Sequence, residues 1–324
     1  MSYRESEGFF SRRSFLATGG SAVAAAAMTR PSSLFAAPVP NAAAKRIALV
    51  GTGVRGNSMW GRSVAREYAD VVQFVGLCDI NPGRLEYAKQ YIGVDCPTFH
   101  SSEFDRMIEE QRPETVIVTT KDSTHHEYII RAMELGCDVI TEKPLTTDEQ
   151  KAQAILDATE RTGKNVTVTF NYRYSPHRQT MKEILMSGRL GELTSVDFHW
   201  YLDTSHGADY FRRWHGKIEN SGSLFVHKAT HHFDLLNWWV DSEPELVFGL
   251  AGLDYYGKNN PFRHTNCRGC PHAGECKHYW DITRSPQMMN LYVNHEHHDG
   301  YLRDGCVWDM AIDSPDKMGA SIRY

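Results

Sequence analysis

No stretch of the 324 residues stays apolar for the roughly 18 positions that a spanning helix needs, and mean hydropathy is −0.47. No stable membrane anchor is therefore expected. Cysteine is scarce, seven in all, too few for a disulfide scaffold in a chain of this length. Excess positive charge is missing as well. The 35 lysines and arginines face 40 aspartates and glutamates, for a net charge of −5. That argues against the basic footprint of a nucleic-acid-binding protein. What is present is ordinary globular composition, 41% hydrophobic and 23% charged, which excludes a disordered or fibrous chain. The length suits about two domains, each large enough to bury its own core.

Residues 1–40 read as an address rather than a fold. Arg12 and Arg13 precede Phe15 and Leu16, an apolar small-residue stretch follows over 15–28, and Ala36 and Ala37 offer a small-residue exit. Charged, apolar and small segments in that order make a signal peptide. The paired arginines resemble a twin-arginine (Tat) signal. That resemblance implies recognition by the Tat machinery and export of an already folded protein to the periplasm. Any bound cofactor would then be loaded in the cytoplasm and retained. The competing reading is an unstructured tail with a chance arginine pair.

A short apolar strand is expected over 45–50, and Gly51-Thr52-Gly53-Val54-Arg55-Gly56 follows at once, with a helical pattern to about Tyr68. Strand, GxGxxG and helix in sequence form the dinucleotide fingerprint in its required context. Gly51 permits the tight turn, Gly53 lets backbone approach a pyrophosphate, and Gly56 lets helix and strand pack closely. Val54 and Arg55 open the helix, whose free N–H groups suit phosphate. A second strand over 71–78 ends at Asp79, 28 positions after Gly51, against a usual spacing of about 20. Its carboxylate can accept the ribose hydroxyls of NAD. Arg84 lies near enough to leave NADP open.

Strands over 115–120 and 138–141 flank a helix over 124–135. The alternation predicts a doubly wound parallel sheet with ligands at the carboxyl ends of its strands. Thr119, Thr120, Lys121 and Asp122 fall at one such end, with His125 and His126 just beyond; Glu142, Lys143 and Pro144 fall at another. A GxGxxG strand, an acid after the second strand, a loop ending in histidine, and Glu-Lys-Pro after the fifth strand together resemble the Gfo/Idh/MocA oxidoreductases. The resemblance implies a Rossmann domain over 45–170 and a substrate domain over 171–324, the latter α+β with an open, mostly antiparallel sheet. It places Thr119, Thr120, His125 and Glu142 around the cofactor. It also sets Lys143 beside the nicotinamide and the substrate hydroxyl.

In the second half, Asn171-Tyr172-Arg173 resembles the family's crossover segment. A helix is expected over 176–187 and an alternating strand over 193–202, with Val196, Phe198 and Trp200 on one face. His227, His231 and Asp234 recur at spacings of four and three, one face of a helix or its entry turn. The family shows Asp-x-x-x-His-x-x-Asp here. By resemblance His231 is the general base and Asp234 the following acid, while His227 replaces an aspartate and Lys228 follows it. Two histidines at that spacing with an acid could instead bind zinc. The implied activity is hydride transfer between a sugar, cyclitol or glycoside hydroxyl and a tightly held NAD(P). Lys121, Arg173, Lys228 and Asp234 would stand around that small carbohydrate. An NAD-dependent glycosidase working by transient oxidation and elimination, and a non-catalytic ligand-sensing relative, are the alternatives. A homo-oligomer is compatible with all three.

Cys267-x2-Cys270-x5-Cys276, in a glycine- and proline-bearing loop, has a distant fourth in Cys306. Four thiolates suit a structural zinc; an iron–sulfur cluster or two disulfides are the other readings. The run His295-Glu296-His297-His298-Asp299 reads as a solvated loop. Residues 316–324 read as the start of a strand with no turn after it, from which a truncated second sheet is expected.

Overall fold

The computed structural model describes residues 44–324; the expected signal peptide lies outside them. Six parallel strands form one sheet in the order β3-β2-β1-β4-β5-β6: β1 (Lys45–Val50), β2 (Val72–Asp79), β3 (Thr98–His100), β4 (Thr115–Val118), β5 (Asp138–Glu142) and β6 (Val166–Thr169). Strand alternation splits the core between the two faces. Ala48 and Val50 pack with Met107, Val116, Val118 and Ile129 on one side. Ile47 and Leu49 pack with Phe74, Leu77, Leu85 and Ile117 on the other. Burying each of the larger of these side chains contributes about 1.5–3 kcal/mol, and a sheet covered on both faces accounts for the near-continuous apolar runs.

Local signals set the helices. In Pro82–Ile92, Asn81 Oδ1 accepts from the Arg84 amide at 3.1 Å, Pro82 takes the first turn, and Gly93 closes the helix at φ 80°. Asp148 and Gly163 do the same for Glu149–Thr162. The turn after β1 runs into a π-helical stretch, Gly56–Ser63, continued by Val64–Glu67. Because β2 and β4 pair with opposite edges of β1, the chain direction switches at the carboxyl end of β1. That is where open α/β sheets bind ligands.

The second half is helical before it is extended. Helices Pro176–Met186, Thr204–Phe211, Ser223–His227 and Thr230–Val240 precede a two-stranded antiparallel sheet of β7 (Leu246–Gly252) and β8 (Lys317–Arg323). Its core gathers Tyr210, Phe211, Leu224, Tyr256, Val307 and Trp308. The strand expected over 193–202 does not form. Phe198 and Trp200 instead set their rings 5.2 and 5.0 Å from that of His232. The apolar stripe meets a helix rather than a hydrogen-bonded neighbour. Among the described residues no helix is long and apolar enough to cross a membrane.

Candidate active site

The glycine-rich turn is shaped by close approaches. Gly51 has φ +89°, and a Cβ on it would meet the Thr119 carbonyl at 2.7 Å; a Cβ on Gly56 would fall 2.1 Å from Gly51 O. Thr119 Oγ1 donates to Gly51 O at 2.5 Å, so the loop after β4 braces the turn after β1. At Gly53 a Cβ would meet only the Tyr292 hydroxyl, at 3.2 Å. That leaves a backbone face suited to a pyrophosphate. Asp79, buried at the end of β2, accepts from Thr52 N at 2.6 Å and Asn81 N at 2.9 Å. Arg84 donates to Asp79 at 3.0 Å and to Asp299 at 2.6 Å. These groups fit a dinucleotide with a free ribose diol: cradle, amide donors and acid are all present.

Two further strand ends converge here. Glu142 accepts from Arg55 Nε and Trp60 Nε1, each at 2.7 Å. The buried His125 ring bridges Thr120 O and Pro144 O, at 3.2 and 3.0 Å, tying the loops after β4 and β5 together. Lys121 caps this loop through its carbonyl, which accepts from Thr124 N at 2.8 Å. Lys143 follows β5. Its Nζ donates to His227 O at 2.8 Å and stands 3.3 Å from His227 Nε2. Burial pushes the Lys143 pKa down to about 8, with Asp122 and Glu142 pulling against it.

His227 ends one helix and His231 lies in the first turn of the next. His231 stacks on Tyr172, centroids 4.0 Å apart, and its Nδ1 has no hydrogen-bond partner among the described residues. Burial, then Lys143 and Lys228, push its pKa down to about 2. His227 is likewise held well below the ordinary histidine value, first by burial and then by Lys143. Lys228 Nζ donates to the Tyr172 hydroxyl at 2.8 Å. Arg173 and Asp234 pair with each other through two hydrogen bonds, 2.7 and 2.5 Å.

Three groups in this site carried no role in the sequence reading. Asp122 meets His227, Tyr292 meets the glycine-rich turn by accepting from Val54 N at 3.0 Å, and Asp299 meets Arg84. The position of Asp122 beyond the end of β4 was legible as part of a ligand-binding edge, but nothing local paired it with His227. The 295–299 run is partly solvated: His297 and His298 are exposed, but the segment is a helical turn over Val293–His298 rather than an open loop. His295 O accepts from Asn81 Nδ2 at 2.8 Å, and Glu296 pairs with Arg268 at 2.6 Å. Partners on distant segments hold Glu296 and Asp299.

The cysteine cluster lies apart. Cys267, Cys270, Cys276 and Cys306 line one narrow cavity and are all free thiols. Cys267 Sγ accepts from Arg212 Nη1 at 3.0 Å. Among the described residues no three His, Cys, Asp or Glu side chains are grouped to hold a metal ion.

Two family models match the chain: the NAD-binding Rossmann fold of the Gfo/Idh/MocA oxidoreductase family over residues 45–170, and that family's C-terminal α/β domain over 182–280. The protein YteT of Bacillus subtilis, which carries an oxidoreductase assignment, is 36% identical over 86% of this chain and 69% of its own length. The chain therefore belongs to the Gfo/Idh/MocA family. An inositol 2-dehydrogenase of Rhizobium meliloti is 26% identical, over 64% of this chain and 58% of its own. The WlbA dehydrogenase of Bordetella pertussis, solved with NADH and UDP-GlcNAcA, is 25% identical. It superposes with a TM-score of 0.56, covering 64% of this chain and 58% of that one. The chain thus spans under two thirds of the length of these dehydrogenases.

Proposed function

We propose that this protein is an NAD(P)-dependent oxidoreductase acting on the CH–OH group of a sugar, cyclitol or glycoside. The observation that carries the reading is the contact of Lys143, at the end of β5, with His227 from the second half. It lies beside a glycine-rich turn built for a dinucleotide. The nicotinamide, when bound, supplies the hydride acceptor or donor. Lys143 holds the substrate hydroxyl and moves its proton, a task suited to an amine whose pKa burial lowers toward neutrality. The general-base role expected for His231 passes in this reading to the Lys143–His227 contact. His231, stacked on Tyr172, walls the site and offers a hydrogen-bond acceptor. NAD is favoured over NADP because two carboxylates already neutralise Arg84.

Incubating the protein with NAD and, in turn, myo-inositol, scyllo-inositol and UDP-GlcNAcA, and following NADH absorbance, tests the reading. Turnover with one of them that falls about 10²–10⁴-fold in Lys143→Ala is expected; undiminished turnover in that variant overturns it. Aryl glycosides in the same assay, read for leaving group, test the glycosidase alternative.

Three subsidiary readings belong with it. The Rossmann domain spans 45–170 and the substrate domain 171–324, a division supported by the change from parallel sheet to helices after β6. Residues 1–40 direct Tat export to the periplasm, supported by Arg12 and Arg13 ahead of the apolar stretch. A structural zinc on Cys267, Cys270, Cys276 and Cys306 rests on their sequence spacing and shared cavity, against the finding that their side chains are not grouped to hold a metal ion here. Elemental analysis of wild type and Cys270→Ser tests it.

A further inference from the structure

Asp122 sits in the loop after β4 with 3% of its surface exposed. Its Oδ2 stands 2.5 Å from His227 Nδ1, a partner 105 residues away in sequence. The other ring nitrogen of His227 faces Lys143 Nζ at 3.3 Å. The three side chains therefore form one line, carboxyl to imidazole to amine, that ends where the substrate hydroxyl would be held. Burial raises the Asp122 pKa to about 7, and above that pH the ionised carboxylate only accepts hydrogen bonds. Facing it, His227 carries its proton on Nδ1 and keeps Nε2 as an acceptor toward Lys143. The second ring nitrogen of a histidine is set in this way by the bond the first one makes.

We propose that Asp122 is a positioning residue: through His227 it fixes the tautomer that accepts a hydrogen bond, and during turnover a proton, from Lys143. The proposal rests on the role given above to Lys143. In the oxidative direction a bound dinucleotide would supply the acceptor for the carbinol hydride, and neutral Lys143 would take the O–H proton as a new N–H bond on Nζ. Lys143 then gives one proton to His227 Nε2. The imidazolium so formed is held against the Asp122 carboxylate, and the amine is restored. Reduction runs the same transfers in reverse.

The surroundings agree with such a line. His125, Lys143, Arg213 and Glu142 face Asp122. His215, Arg213, His125 and Lys228 surround His227, and Glu142, Lys228 and Arg55 surround Lys143. Burial raises the Asp122 pKa and lowers those of His227 and Lys143. Only the lowering of Lys143 eases proton transfer along the line; the lowered His227 makes the imidazolium a transient carrier, which the adjacent Asp122 carboxylate at 2.5 Å stabilises.

Histidine-selective nitrogen-15 NMR of the full chain tests the tautomer directly. Wild-type His227 is expected to be protonated at Nδ1 and free at Nε2. Asp122→Asn is expected to lose that fixed preference. It is also expected to lower the Lys143 midpoint by about one unit, since a neighbouring anion is removed; lysine-selective carbon-13 NMR reads this. Asp122→Glu is expected to restore part of both. A wild-type His227 protonated at Nε2 overturns the proposal without any variant. So do a tautomer and a Lys143 midpoint that ignore Asp122→Asn. Neither readout needs a substrate, so they fail independently of the proposed activity. Given a substrate, Asp122→Asn is expected to lower kcat on the order of a hundredfold with KM nearly unchanged. A loss confined to KM overturns the positioning role.

Discussion

A methyl group on Gly56 would lie 2.1 Å from Gly51 O and 2.8 Å from Thr119 Oγ1, whereas one on Gly53 would meet only the Tyr292 hydroxyl, at 3.2 Å. The two glycines of one motif therefore do different things. Gly56→Ala forces backbone apart, and overpacking of that kind costs about 1–3 kcal/mol. A thermal melt is expected to show a Tm several degrees below wild type. Gly53→Ala leaves the fold intact but puts its methyl on the face that a pyrophosphate approaches. Its Tm is expected to match wild type while NAD affinity, read by protein fluorescence, falls about tenfold, or ~1.4 kcal/mol. Equal effects in both assays would refute this division. The glycine-rich turn, Asp79 and Lys143 were legible in the sequence because their signals are local, each a residue at a fixed offset from a strand. The pairing of Asp122 with His227 was not, because the two lie in different parts of the chain. No periodicity relates a loop after a strand to the end of a helix so far away.

At the scale of elements, the segment from the helix Pro286–Leu291 to Arg303 acts as a clasp on the nucleotide side of the sheet. Tyr292 meets the Val54 amide, the His295 ring occupies the space a Cβ on Gly83 would need, and Asp299 reaches Arg84. The sequence suggested a solvated histidine-rich loop because the run is polar throughout, and polarity alone does not show which charges are paired. The doubly wound sheet was readable from alternating strands and helices. No strand forms over 193–202, because an apolar stripe of period two can pack on a helix as well as pair in a sheet. The clasp has a consequence for cofactor choice. Arg84 lies between Asp79 and Asp299 and has no charge to spare for a ribose phosphate. Wild type is expected to bind NAD at least tenfold more tightly than NADP. Asp299→Asn removes one of the two carboxylates, so its NADP affinity is expected to rise and the ratio of the two dissociation constants to narrow. Titrating both nucleotides into both proteins checks this, and an unchanged ratio would show that Arg84 does not face the ribose.

Across the whole molecule, the site concentrates neutral histidines. His215, His227, His231 and His232 are all buried, and burial is the first cause of a lowered pKa in each. His231 falls to about 2 and His232 to about 4. A histidine whose folded pKa lies below its unfolded value contributes stability that is fully present above about pH 6.5 and lost as pH falls toward the folded value. Between these limits the unfolded chain binds protons that the folded chain refuses. Asp122 acts in the opposite sense. Its folded pKa is raised to about 7, so it stabilises the fold below about pH 3.9 and loses that contribution as pH rises to 7. Four histidines against one carboxyl make the histidines decisive. Urea midpoints are expected to drop steadily from pH 7 to pH 5, each unshared proton contributing a slope of about 1.4 kcal/mol per pH unit. His232 packs against Phe198 and Trp200, away from the Lys143–His227 contact. Replacing it with phenylalanine, His232→Phe, keeps an aromatic ring there and removes one titrating group. That variant is expected to lose acid sensitivity by one proton's slope while its midpoint at pH 7.5 changes little. A wild-type profile flat from pH 7 to pH 5 would mean that folded and unfolded chains take up the same protons, so that these histidines become imidazolium in the folded protein by pH 5. The acceptor role assigned to His227 Nε2 would then fail with it, because an imidazolium has no lone pair left to receive a proton from Lys143.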